Sequence, residues 1–433
     1  MSGRSSQPLV AGAISQRQGR AWSLSIFAIF FICGISLASW MTRIPAVRDS
    51  LGANTFQMGM LIVGLSAGSM IGLASSSHVI ARIGARRTML IFVLLMVGGL
   101  VGAGVGSVAP SYGLIFGGLA MFGVGTSTCD VAMNLSGAAN ERVMGRTLMP
   151  LFHALFSFGT MAGAGLGALA EKLRVPVVWH LSGIAVLGVL LLLVSLPHVQ
   201  PESLGISDAD GDHHSDSGWR DRLSVWKQPA TLLIGVIVLG MTFAEGSAGD
   251  WLALSMVDER HTSNSTGAVL FGVFVAAMTI GRVTGVFALD HFGRVAVLRV
   301  SALAGVIGLG LVIFVPHVPV AVIGTLLWGL GASLGFPVGM SAAADDPRNA
   351  AARVSAVATI GYLAFLVGPP SIGLLGKHVG LLNALIVVMV LIGAAVFAAP
   401  AARERPVDDP QGRKLSSPGG AAPVISSSEA TRR

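Results

Sequence analysis

The sequence predicts an all-α membrane protein: twelve transmembrane helices arranged as two pseudo-symmetric six-helix bundles. Three observations carry that expectation. Of 433 residues, 53% are hydrophobic and 11% charged, against about 25% charged in an ordinary soluble domain. A soluble fold this apolar has too little polar surface to dissolve it, so lipid is the solvent for most of the chain. Apolar runs of spanning length recur along the sequence, separated by short polar loops and one longer break. Finally, the chain repeats itself. Leu61–Leu90 is matched 209 residues later by Leu270–Arg299, placing Gly72 on Gly281, Gly84 on Gly293, Ile71 on Ile280 and Ala67 on Ala276. Gly123 and Gly125 match Gly329 and Gly331 at nearly the same offset, and Trp40 pairs with Trp251. Internal repetition inside a hydrophobic chain marks a transporter whose halves move against each other around a central site.

Taken in order, residues 1–20 are polar, carry Arg4, Arg17 and Arg20, and read as a disordered cytoplasmic tail. The apolar run that follows is too long for a signal-peptide core and reads as an uncleaved anchor. Residues 21–196 form the first bundle, with later spans expected near 56–79, 88–107, 111–134, 147–170 and 175–196. A polar linker covers 197–228, and 229–399 form the second bundle, with spans near 229–254, 265–288, 296–315, 319–343, 354–375 and 379–399. Most runs reach 19 residues, enough to cross about 30 Å of hydrocarbon at 1.5 Å per residue. Residues 400–433, rich in Pro, Ser and Gly, read as a second disordered tail.

Orientation follows from the loops. With the N-terminus inside, 21 Lys and Arg residues fall in inner segments and 6 in outer ones, Arg282 alone lying within a span. Positively charged loops stay cytoplasmic, so both termini and the linker are expected inside, in a multi-pass protein of the cell membrane. The same asymmetry accounts for the formal charge of +7 by topology and attraction to anionic lipid, and nucleic acid is not needed. Cys33 and Cys129 both sit in apolar runs, so disulfides do not organise the fold. In the linker, Asp208, Asp210, Asp212, His213, His214 and Asp216 match no metal loop and read as solvated chain, and no metal is expected. Just beyond, Trp219, Leu223 and Trp226 share a helical face opposite Arg220, Arg222 and Lys227, the pattern of a short helix on the inner membrane surface.

The six-plus-six plan, the long middle loop and the basic loops after spans two and eight resemble the major facilitator superfamily. Its loop signature is similar to G-x-x-x-D-R-x-G-R-R. The second copy here keeps Asp290, Gly293 and Arg294, and the first keeps Arg82, Gly84, Arg86 and Arg87, with Ala81 in the acidic position and Ser77 in that of the leading Gly. The resemblance implies an inner-side latch built from these loops and from Arg282. SWMTRIPAVRDSLG, LFHALFSFG, EGSAGDW and TIGYLAFLVGPP look like a bacterial subgroup near the fucose-permease branch. Span four lacks the arginine that drug–proton antiporters of the family carry before the GxG segment, Leu119 standing near that position.

Ionisable groups inside a span cost roughly 2.5–3.5 kcal/mol at mid-helix and so face a cavity or a partner. Glu245, near the middle of span seven, is the first candidate for proton coupling, because burial penalises its charged form. Asp250 is a second, assisting candidate for proton coupling; on an ideal helix it points about 140° away, as an outer gate with Trp251 or a helix-end carboxylate, and Gly246 and Gly249 allow a bend between them. His153 heads a polar stripe with Ser157 and Thr160, backed by a Gly159–Gly163–Gly167 packing row, and is the third coupling candidate. Ser157, Thr160, Asp130, Asn134 and Tyr362 are cavity candidates. Asp130 and Asn134, with Ser127 on the same side and Asn140, Glu141, Arg142 and Arg146 beyond, read in the first place as an inner polar latch. Arg282 either snorkels to the surface or pairs with a carboxylate. Arg43 and Pro45 read as the stop of span one. The cavity is expected to be poor in aromatics and to mix Ser, Thr, Asn and His with apolar walls.

No P-loop, G-x-S-x-G or H-E-x-x-H motif is present, so an enzyme and an ATP-driven pump are disfavoured and no cofactor is expected. The function that fits is secondary active transport of a small polar or amphipathic solute by alternating access, coupled to protons. The carrier is expected to work as a monomer in lipid. The alternatives are a multidrug or metabolite efflux antiporter and, further off, a non-transporting sensor or an intramembrane enzyme.

Overall fold

The computed structural model describes residues 14–146, 148–201, 224–345 and 350–403. Residues 1–13, most of the linker with its Asp/His run, and residues 404–433 lie outside the described residues. Of the expected surface helix, Trp219, Arg220, Arg222 and Leu223 lie outside as well, while Trp226 and Lys227 fall in a single 3-10 turn, Val225–Lys227.

The first bundle comprises α1 (Gln16–Leu51), α2 (Thr55–Val108), α3 (Tyr112–Met144), α4 (Met149–Lys172) and α5 (Val177–Ser195). The second begins with α6 (Pro229–Ser247), which passes through a π turn (Ala248–Leu252) into α7 (Ala253–Arg260). Then follow α8 (Asn264–Phe314), α9 (Val318–Ala332), α10 (Gly335–Ala344), α11 (Ala350–Val379), α12 (Leu381–Ala384) and α13 (Ile386–Ala398). Ten stretches among the described residues are long and apolar enough to cross a membrane. Two of them are far too long for one crossing: α2 has 54 residues and α8 has 51, about 80 Å each at 1.5 Å per residue. Each is broken at a glycine, Gly84 (φ 77°, ψ 158°) and Gly293 (φ 72°, ψ 164°). That backbone region is essentially closed to side-chain-bearing residues. Each long stretch is therefore two spans, which makes twelve.

Helix starts follow local chemistry. Ser15 and Asn54 open α1 and α2 with reciprocal capping boxes to Gln18 and Gln57, satisfying amide groups that the first turn leaves unpaired. One expected stop is corrected. Helix α1 does not end at Arg43–Pro45 but runs through Pro45 to Leu51, where Gly52 closes it in the left-handed conformation at φ 57°. Arg43 is instead buried and paired with Glu171 at 3.1 Å, its guanidinium donating to the Val175 carbonyl at 2.6 Å. Those partners remove the need for it to reach solvent.

The repeat is visible as equivalent packing. A Cβ on Gly125 would lie 2.6 Å from the Phe92 carbonyl, and one on Gly331 would lie 2.7 Å from the Ser301 carbonyl. Phe92 and Ser301 stand 209 residues apart. Gly123 meets the backbone of Leu65 as Gly329 meets that of Phe274, again at an offset of 209. The glycine rows thus hold the same helix pairs at backbone contact in both halves. Between the halves, Arg48 pairs with Asp258, Asn264 donates to Asp49 at 3.3 Å and Ser265 to the Ala168 carbonyl at 3.4 Å. All of these residues lie near helix ends on the side opposite residue 14. Deeper in, Ser66 donates to the Phe365 carbonyl at 2.7 Å.

Candidate functional site

Between the bundles lies a cavity of about 290 Å³ to which α1, α2, α3, α4, α6 with its π turn, and α11 contribute. Its wall on α2 follows from packing on the other side of that helix. Gly64, Gly68 and Gly72 press against the α3 backbone at Phe116, Ala120 and Val124, which leaves Ser66 and Ser69 facing inward. From α3 come Thr126, Ser127 and Asp130, and from α11 come Tyr362 and Phe365.

The remaining carboxylate, Asp250, arrives by a local departure from helical geometry. Residues 248–252 form a π turn, and such wide turns recur at functional sites. They alter the angular spacing, so the 140° expected on an ideal helix does not hold. Gly246 and Gly249 make room: a Cβ on Gly246 would lie 3.2 Å from the Phe365 ring, and one on Gly249 would lie 2.9 Å from the Met41 sulfur. Asp250 is 7% exposed and lines the cavity. Among the described residues it has no hydrogen-bond or ion-pair partner. It lies within the π turn between two helices, which corrects the helix-end reading and brings one of the three coupling candidates into the cavity.

Glu245 occupies a smaller neighbouring cavity of about 70 Å³, together with Ser157, Thr160 and Arg282. One terminal nitrogen of Arg282 donates to both Glu245 carboxylate oxygens at 3.0 Å. The expected placement of Arg282 in the inner latch is corrected: it pairs with a carboxylate, the other reading open to it, and stays about one-third exposed. Thr160 donates to the Ser157 carbonyl at 2.7 Å, and Gly159 and Gly163 lie against the Phe31 and Ile35 carbonyls of α1, each 2.5 Å from an added Cβ. His153 is exposed, edge-on to Phe30 at 5.1 Å between ring centroids, and lines neither cavity.

Asp130 and Asn134 are joined to each other, Asn134 donating to the Asp130 carbonyl at 2.8 Å and to its carboxylate at 3.2 Å. Asp130 makes no ion pair among the described residues and opens into the larger cavity, so the latch reading is corrected for it, whereas Asn140 does join α3 to α1, accepting from Ser23 at 2.7 Å and donating to the Gly19 carbonyl at 3.1 Å. Further along α3, Glu141 accepts from the Leu148 and Met149 amides at 2.6 and 2.7 Å. In the inner loops Arg294 reaches Asp345 at 2.5 Å and Ser341 at 2.9 Å. Arg82, Arg86, Arg87 and Asp290 form no ion pair among the described residues.

Sequence reasoning missed Ser66, Ser69, Thr126 and Cys33, together with the aromatic wall of Phe122, Phe156 and Phe365. The cavity is therefore richer in aromatics than expected, and neither Asn134 nor His153 lines it. A signal for Ser66 and Ser69 was present: two hydroxyls spaced i, i+3 opposite a glycine row of period four.

A two-bundle membrane fold of twelve spans around a central, partly polar cavity defines a solute transporter rather than an enzyme. The chain belongs to the major facilitator superfamily, whose family model matches residues 242–432. It is 30% identical to the uncharacterised transporter y4wD of Sinorhizobium fredii, over 84% of this chain and 96% of that one. It is 29% identical to an uncharacterised MFS-type transporter of Yersinia pestis, over 87% and 93%. Its fold is similar to that of a bacterial homologue of the human lysosomal transporter Spinster in an inward-facing, unoccupied conformation (TM-score 0.69, 13% identity, 91% of this chain and 100% of that one). It is also similar to that of the Escherichia coli fucose:proton symporter FucP (TM-score 0.60, 15% identity, 88% and 98%).

Proposed function

We propose that the protein is a secondary active transporter that moves a small polar or amphipathic solute across the cytoplasmic membrane by alternating access, coupled to protons through Asp250. It works as a monomer, with both termini cytoplasmic. The observation that carries this reading is the contrast between the two carboxylates on either side of the π turn. Glu245 is charge-compensated by Arg282, so protonating it would leave a guanidinium unpaired in the membrane. Asp250 is buried, faces the central cavity and lacks any compensating group among the described residues. A lone carboxylate in such a place is costly when charged and relieved by a proton or a cation. The coupling role first expected of Glu245 therefore moves five residues along the chain. His153, away from the cavity, has no part in it. The fucose:proton symporter of similar fold is consistent with proton coupling on this architecture.

The test is uptake into proteoliposomes with and without an imposed pH gradient, run beside solute counterflow. Asp250→Asn is expected to abolish gradient-driven accumulation, with any counterflow that remains insensitive to the imposed pH gradient. Concentration of solute by that variant at the wild-type level would place the coupling elsewhere.

A further inference from the structure

The larger cavity is unusual in its balance of charge. Its ionisable lining consists of two carboxylates, Asp130 and Asp250, with the Tyr362 hydroxyl and the Cys33 thiol, and among the described residues no Lys, Arg or His borders it. In the adjoining cavity the Arg282 guanidinium is spent on Glu245. The rest of the wall is mainly apolar and aromatic, with Phe122, Phe156 and Phe365, and carries the hydroxyls of Ser66, Ser69, Thr126 and Ser127. Asp250 is 7% exposed and unpartnered among the described residues, while Asp130 accepts only from Asn134. An anionic solute would meet two like charges here with no donor cation to offset them. A neutral sugar would find the Ser66 and Thr126 hydroxyls already donating to the Phe365 and Phe122 carbonyls, which leaves the Ser69 and Ser127 hydroxyls and the two acids on a wall otherwise largely of Leu, Ile, Met and Phe. A cation with an apolar body satisfies both demands: it neutralises the acids, and phenyl faces attract it through their quadrupoles. At about 290 Å³ the space lies at the small end of ligand pockets, which run from about 300 to 1,000 Å³.

We infer that the transported solute is a small organic cation, an amine or quaternary ammonium on an apolar body, bound between Asp130 and Asp250 and exchanged for protons. This rests on the transport reading above and names its cargo. Proton and cation compete for the same carboxylates, so each empties the site of the other. An inward proton gradient then drives the cation out of the cell. The titratable groups that line the cavity beside the two acids are Tyr362 from α11 and Cys33 from α1, with the buried Cys129 thiol next to Asp130 and 4.0 Å from that of Cys33. The Glu245–Arg282 pair and His153 lie beyond the wall.

The probe is benzyltrimethylammonium, whose charge does not change with pH, beside benzylsulfonate, an anion on the same body. Binding to the purified full chain in detergent is measured by calorimetry. Wild-type protein is expected to bind the cation and not the anion. Affinity should fall at least tenfold as acidification protonates the carboxylates, and at least tenfold in Asp250→Asn and in Asp130→Asn. Asp250→Glu, which keeps the charge, should stay within a few-fold of wild type and shows that loss in the Asn variant is not misfolding. Failure of the folded wild-type protein to bind the cation, or preference for the anion, overturns the assignment. Proteoliposome counterflow separates this outcome from the broader reading. Flux of the anion without the cation keeps a transporter and refutes the cation class. Cation binding without flux of either probe keeps the site and refutes transport.

Discussion

At the scale of single residues, the molecule separates two acids that the sequence places five positions apart. Glu245 and Arg282 share charge across α6 and α8, each about one-third exposed. Removing one partner of a well-buried pair costs about 3–5 kcal/mol, and partial exposure should reduce that to about 1–2 kcal/mol here. Glu245→Gln is thus expected to lower the thermal unfolding midpoint in detergent, and a charge-swapped Glu245→Arg, Arg282→Glu double variant to recover part of the loss. Asp250→Asn removes a charge that nothing compensates, so its midpoint should stay level or rise. Equal destabilisation by both single substitutions would show that the two carboxylates are not distinct in kind.

At the scale of elements, glycine decides where helices touch and where they turn. The hinges at Gly84 and Gly293 have φ of 77° and 72°, and nothing lies within 4 Å of a Cβ added at Gly293. The penalty of a side chain there is backbone strain, about 1–3 kcal/mol. Gly84→Val and Gly293→Val should slow transport severalfold with little loss of membrane insertion, measured as turnover per molecule of inserted protein. Wild-type turnover in both variants would dismiss the hinge argument. The packing glycines act differently. At Gly125 an added Cβ would lie 2.5 Å from the Met96 amide nitrogen, so Gly125→Leu should lower the yield of folded protein, and Gly331→Leu should do likewise in the second half. The repeat in the sequence announced these positions. It did not announce the π turn at 248–252, because i→i+5 hydrogen bonding follows from packing against Met41 and Phe365 rather than from local propensity.

At the scale of the whole molecule, the polar contacts between bundles described above gather at one end, at Arg48–Asp258 and Asp49–Asn264, with Ser66 meeting Phe365 deeper in. The cavity with Asp130 lies beyond them, toward the end that carries the termini. If alternating access operates, that closed end must part in each cycle. Tethering Arg48→Cys to Asp258→Cys with a short thiol-reactive linker, with Cys33 and Cys129 replaced by Ala, should cut counterflow more than tenfold, and reductant should restore it. Unchanged counterflow in the tethered protein would exclude parting at this seam. Orientation is tested separately. A reporter active only outside the cytoplasm, fused after residue 215, should stay silent, as the Lys and Arg asymmetry requires.

By itself the sequence determined the solvent, the number of spans and the two-fold plan. Those depend on quantities additive along the chain: apolar length, glycine spacing and loop charge. Glu245, Asp250, Asp130 and Tyr362 were also legible as polar groups inside spans, since an ionisable residue in an apolar run stands out whatever the fold. Only the tertiary structure decided which of them are partners. Arg282 lies 37 residues from Glu245, Asp130 and Tyr362 come from different bundles, and the angle between Glu245 and Asp250 depends on one wide turn. Pairing of charges is a property of distances in space, and in a two-bundle fold those distances are set by helices far apart in the chain. Whether a buried acid is a spent charge or an open site is therefore settled by packing.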